Sequence, residues 1–171
     1  NNTVQQWSDY YDGYGDYWGV HDMNTITLSI PGNHDYGNAG AKAQEWNDYS
    51  GQRYFGFSYG ETRLLTLDPY LGSDYPHQQV DALNTYLADK GPGDLRIIST
   101  HDYGNLDVGF LNDNQVQVGL HGHHHNNFTT DVGTYTKSYT TGSTSHLWDG
   151  VGIGNLGWFR ILTVENGVVV K

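Results

Sequence analysis

The sequence predicts an α/β fold, and three observations predict it. Runs of strand length, β-branched or apolar, recur at residues 25–30, 95–100 and 116–120, bounded by Gly or Pro or ending at a His. Between them lie stretches of helical spacing, above all Val80, Leu83, Tyr86 and Leu87 after Pro76. Each run also hands its C-terminal end to polar side chains, first Asn33-His34-Asp35, then His101, then His121 to His125. In α/β sheets that end is where sites form.

Taken in order, residues 1–24 are aromatic, acidic and Gly-punctuated, and predict a loop with a short helix, its Asp9, Asp12 and Asp16 solvated. Residues 25–30 form a strand stopped by Pro31-Gly32, and residues 39–49 a helix stopped by Gly51. Residues 53–59 and 62–68 flank Gly60-Glu61 as an antiparallel hairpin. A helix over residues 77–89 closes at Gly91-Pro92-Gly93. The segment through Phe110-Leu111 has no pattern. Antiparallel strands follow at 127–132, 135–141 and 157–164, and a last one at 168–170 pairs across Asn166-Gly167. Residues 150–157 read as an ordered loop. No repeat or linker divides the chain, so residues 1–171 form a single domain, of a length able to bury a core.

A formal net charge of -11, with 8 Lys and Arg against 19 Asp and Glu, argues against a nucleic-acid surface or an anionic membrane as partner. An acidic protein that acts on an anion needs a local positive centre, and a bound cation supplies it with few basic side chains. Cysteine is absent, so any metal must be held by His, Asp, Asn or Glu. No stretch of about 18 apolar residues predicts a membrane span. Sparse Lys with 14 Tyr and 23 Gly has the character of an exported protein, and secretion is the expectation. Asn1 is no initiator Met, and the chain reads as processed or truncated at its start.

The densest group of ligand-type residues is Val118-Gly119-Leu120-His121-Gly122-His123-His124-His125. On extended backbone, alternation turns His123 and His125 one way and His124 the other. His121 and His124 read as supporting or surface groups, and the plain alternative for the whole stretch is a His-rich loop.

Pro31-Gly32-Asn33-His34-Asp35, then Thr100-His101, then Gly122-His123-His124-His125 resembles, in order, the Gly-Asn-His-Asp, lone-His and Gly-His-x-His series of calcineurin-like metallophosphoesterases. The resemblance implies a two-metal phosphoesterase in a four-layer α/β/β/α sandwich. It implies that Asn33, His101 and His123 hold one divalent transition metal ion and His125 the other, with His34 and Asp35 facing the substrate. An amide oxygen beside imidazoles suits Mn, Zn or Fe and disfavours Ca. Two ions about 3.5–4 Å apart would polarise the phosphoryl group and supply hydroxide. His34, its ring N–H held by Asp35, would be the cation that meets the transition state or the leaving alkoxide.

The sequence also departs from that series. The Asp-x-His and Gly-Asp-x-x-Asp motifs that precede Gly-Asn-His-Asp in the family are missing, and Gly15-Asp16-Tyr17-Trp18-Gly19 begins like the second but lacks its second Asp. The resemblance covers the last two-thirds of such a domain, so the sandwich here lacks its N-terminal βαβ portion and leaves an open apolar edge. Two arrangements follow. The protein's own N-terminal fragment or another chain covers that edge, or the chain stands alone with one ion on Asn33, His101 and His123. The expected activity is metal-dependent hydrolysis of a phosphomonoester or phosphodiester. The alternatives are a catalytically incomplete relic serving as a structural or binding module, and a β-rich metal- or carbohydrate-binding module. His146 lies where such enzymes shape the substrate pocket, with plain loop decoration as the alternative, and the four arginines Arg53, Arg63, Arg96 and Arg160 are candidates to meet phosphate but are placed in strands, at surface or edge positions.

Overall fold

A strand covered on both faces needs apolar side chains in both directions, and Leu95-Arg96-Ile97-Ile98-Ser99 is buried at all five positions. In the computed structural model, which describes residues 12, 24, 26–33, 35, 46, 48, 50–70, 79, 81, 84, 87, 88, 91, 93–142 and 160–170, this strand lies inside a six-stranded sheet. The strands are β1 (Phe55–Tyr59), β2 (Thr62–Thr66), β3 (Leu95–Ser99), β4 (Val118–His121), β5 (Phe128–Val132) and β6 (Thr136–Thr140), in the order β1-β2-β3-β4-β6-β5. The inner pairs β2–β3, β3–β4 and β4–β6 are parallel. The outer strands β1 and β5 fold back antiparallel on their neighbours, so each edge is one arm of a hairpin.

Alternation sorts the apolar side chains onto two faces. On one, Leu65, Leu67 and Ile98 pack with Val116 and with Leu87 and Leu111, which come from helical segments. On the other, Leu95, Ile97 and Val118 meet Leu64, Leu120 and Tyr139 of the sheet, and Leu162 and Val169 from beyond it. Val169 belongs to a short hairpin, β7 (Val164–Glu165) with β8 (Val168–Val169). Its turn residues Asn166 and Gly167 have φ of 52 and 72, the positive pair that a tight hairpin requires. The protein is therefore mixed α/β, with helices on one face of the sheet and a hairpin on the other.

Several expectations are corrected. Residues 26–30 carry a strand pattern yet form no strand, and Ile26 is 73% exposed, so the apolar alternation there is not buried. The unpatterned segment contains a helix, α1 (Val108–Asp113). It forms because Asp107 caps it, accepting from the Phe110 N–H at 2.8 Å, and because Leu111 anchors it in the core. Residues 160–163 are not strand, and Arg160 with them, so only the end of the 157–164 expectation survives, in β7. The helix expected at 39–49 is seen at residues 46, 48 and 50, and that at 77–89 at residues 79, 81, 84, 87 and 88. The remainder of those two segments, most of residues 1–24, residues 157–159, His146 and the loop at 150–157 lie outside the described residues.

Ile98→Ala and Leu111→Ala should each lower stability by about 3 kcal/mol, the usual cost of truncating a large side chain in a closed core. Ile161→Ala, at a position 72% exposed, should stay within about 0.5 kcal/mol. Urea denaturation of the three variants checks both statements.

Candidate functional site

The ladder between β3 and β4 runs on past both strands. Thr100 N–H donates to Leu120 O at 3.2 Å and Gly122 N–H to His101 O at 3.0 Å, so His101 is held directly beside the start of the His-rich loop. A third segment approaches from residues 31–35. There Asp35 N–H donates to Gly32 O at 3.0 Å, and the Gly32 N–H donates to Asp35 Oδ2 at 2.6 Å, closing a tight turn with Asn33 at its tip. This turn lies on the His101 ring: a Cβ at residue 32 would stand 2.8 Å from His101 Cε1, which only glycine avoids.

The outcome is a convergence of three distant residues. His101 Nε2 lies 3.0 Å from Asn33 Oδ1, 68 positions away, and 3.2 Å from His123 Nδ1, 22 positions away. The two rings meet edge to face with centroids 5.0 Å apart. In a tetrahedral shell with bonds of about 2.0–2.1 Å, neighbouring donors stand roughly 3.3 Å apart. The spacing here is close to that value. Two imidazoles and one amide make up the group, and among the described residues no three His, Cys, Asp or Glu side chains gather closely enough to hold an ion.

Asp102, to which the sequence reading assigned nothing, organises the loop. Its Oδ1 takes the Gly104 N–H at 2.9 Å and lies 3.1 Å from His124 Nε2, while Oδ2 is 3.8 Å from His123 Nε2. Burial opposes its charge, but the Gly104 N–H and the two imidazoles hold the carboxyl below the usual range. His123 thus has one ring nitrogen toward His101 and the other toward a carboxylate, the arrangement that orients a ligating imidazole. The signal in the sequence was an Asp directly after a strand-end His. Tyr70, also overlooked, has its ring 6.2 Å from that of His101, and burial followed by the charges of Asp102, Asp68 and Asp35 pushes its hydroxyl up to about 12.

The expected alternation of the His-rich loop does not hold. His123 and His125 both adopt positive φ, 62 and 53, so the backbone bends instead of extending. His125 is exposed and does not join His101 and His123 in a group. His34 lies outside the described residues, and Asp35 shows its Oδ2 engaged by the turn. His121 ends β4 facing inward, its Nδ1 3.0 Å from Thr100 O and its ring folded over Gly119, where a Cβ would be 2.6 Å from Nε2. Burial pushes its pKa down to about 4. Beside the convergence opens a cleft of about 420 Å³, lined by Ser99, His101, Gly122, Thr141, Arg160 and Leu162 among others.

No protein-family model matches the sequence, and no curated protein matches it. The fold is similar to that of GAP50, described as the anchor in the inner membrane complex of Plasmodium, with a TM-score of 0.54 at 15% identity over 91% of this chain. The chain spans 60% of the length of that structure. A looser superposition, TM-score 0.42 at 17% identity, relates 72% of this chain to 29% of the purple acid phosphatase PPD1 from yellow lupin (Lupinus luteus) seeds. Among the described residues no helix is long and apolar enough to cross a membrane.

His121 makes stability pH-dependent in a defined window. Its folded pKa of about 4 lies below the unfolded value of 6.5, so the unfolded chain takes up the proton first. Its contribution is complete above pH 6.5 and is lost as pH falls toward 4, by about 3 kcal/mol in all. His121→Gln should flatten the stability profile in that window, measured by urea denaturation at stepped pH.

Proposed function

We propose that the chain binds a divalent transition metal ion through Asn33, His101 and His123, and that phosphate esters are hydrolysed in the adjoining cleft. The observation that carries this reading is the meeting of three separate segments, with Asn33 Oδ1 and His123 Nδ1 each at a distance from His101 Nε2 that suits neighbouring donors of one coordination shell. The donor set fits Mn, Zn or Fe, and such an ion, when bound, polarises a phosphoryl oxygen and acidifies a water molecule. The chain's own residues do the rest. Asp102 orients His123, Gly32 admits the turn to the face of His101, and the Gly32–Asp35 hydrogen bonds fix Asn33. We assign His34 the proton for the leaving alkoxide, with Asp35 as its neighbour in the sequence. His125 is kept for a second ion, in a complete site to which further ligands are brought. Exposed Ile26 favours an N-terminal fragment of the same protein, or another chain, as the cover for that segment. Composition favours secretion.

A second reading is a structural module that has kept the fold without the reaction. The likeness to GAP50 and the absence of a His, Asp or Glu trio among the described residues favour it. Metal analysis and turnover of p-nitrophenyl phosphate and its bis ester with added Mn or Zn separate the two. The first reading expects one ion per chain, lost in His101→Ala and His123→Ala, and turnover reduced at least 100-fold by His34→Ala, the scale of general acid catalysis. A metal-free, inactive protein would establish the second.

A further inference from the structure

The cleft wall formed by Arg160 has no part in the convergence of Asn33, His101 and His123, yet its chemistry is unusual for this chain. Of the four arginines, Arg53 pairs with Asp68 at 2.8 Å and Arg63 with Asp94 at 2.7 Å. Arg96 is buried, giving an Nη1 hydrogen to Asn114 O and lying within the field of Asp94. Arg160 is different: among the described residues its partners are all neutral. Its Nη2 donates to Asn127 Oδ1 at 2.8 Å, its Nη1 to Thr129 Oγ1 at 3.5 Å, and its guanidinium lies 5.1 Å from the centroid of the Tyr139 ring. Nε is buried without a partner among the described residues. Three of the five N–H groups of a guanidinium thus have no acceptor among those residues.

A protein with a net charge of -11 has no shortage of carboxylates to neutralise a guanidinium. Among the described residues none does, and the side chain is held by the amide of Asn127 just before β5, the hydroxyl of Thr129 on β5 and the ring of Tyr139 on β6. Immobilised on the same cleft as His101, an uncompensated guanidinium is an anion-recognition group, suited to the forked geometry of phosphate oxygens. We propose that Arg160 binds the phosphoryl oxygens of a phosphomonoester in this cleft. A monoester phosphoryl group carries two charges on three non-bridging oxygens and can meet His101 on one wall and Arg160 on another. A diester has two such oxygens and one charge, and gains less from the second wall. The inference rests on the phosphoester reading and names its substrate class, but the anion site itself requires no ion.

Calorimetric titration of the full chain in excess EDTA therefore tests it apart from any metal site. The probes are inorganic phosphate, phenyl phosphate and, as the diester, dimethyl phosphate. Phenyl phosphate should bind at least about tenfold more tightly than dimethyl phosphate, and Arg160→Gln should weaken phosphate and phenyl phosphate by roughly 10–100-fold, the range for a charge-assisted hydrogen bond. Arg160→Lys should recover part of the loss. Asn127→Ala, which keeps the charge but loosens its mounting, should weaken binding a few-fold, and it decides the matter where Arg160→Gln fails to fold. No binding by the unaltered protein, equal binding of monoester and diester, or unchanged affinity in Arg160→Gln or in a poorly folding variant's substitute Asn127→Ala overturns the proposal. Loss of metal binding in His123→Ala, a residue outside the cleft lining, leaves this result untouched, so the two readings fail separately.

Discussion

The parallel register of β3 and β4 is the constraint on which the site depends. Two hydrogen bonds past the end of β3, from the Thr100 N–H to Leu120 O and from the Gly122 N–H to His101 O, lock two loops into adjacent positions before any side chain is placed. A one-residue slip would exchange the faces of every side chain on β4, sending Val118 out of its cluster and His121 away from the Thr100 carbonyl. The same burial of Ile97, Ile98 and Val118 that stabilises the sheet thus sets the distance between His101 and His123.

How much of this could be read from the residues depended on how local the controlling forces are. The β1–β2 hairpin, β3, β5, β6 and the Asn166-Gly167 turn follow from alternation and turn chemistry, which act within a few positions. Helix α1 is only six residues long and exists through its Asp107 cap and the burial of Leu111, a tertiary contact that no periodicity displays. Residues 26–30 show the opposite failure, with a strand pattern that lacks a ladder. Arg160, expected in a strand, is not in one, and what distinguishes it from the other arginines depends on Tyr139, Asn127 and, among the described residues, the absence of an acidic neighbour.

The site shows the same division. That strands end at His101 and at the His-rich loop is visible in the sequence, whereas Asn33 follows a segment that forms no strand and its approach to His101 depends on the missing side chain of Gly32. The bent backbone at His123 and His125 could not be inferred from spacing, since positive φ at a non-Gly residue is imposed by surroundings, here a loop tied down by Asp102. Asp102 itself shows how one carboxylate can serve a 3-10 turn and two imidazoles at once, so its substitution would disturb ring orientation and loop conformation together.

The hairpin β7–β8 has two residues in each strand and is held by Leu162 and Val169 against the sheet. Such a ribbon has little cohesion of its own and opens at a lower free energy than the six-stranded body. Arg160 lies two positions before Leu162 and precedes this ribbon, its guanidinium pinned to β5 and β6, whereas His101 and Gly122 directly follow β3 and β4. The cleft consequently has one wall rooted in the sheet and another whose backbone runs on into a ribbon: amide exchange around Leu162 reports the breathing of that ribbon, while Asn127, Thr129 and Tyr139 keep the guanidinium in its place.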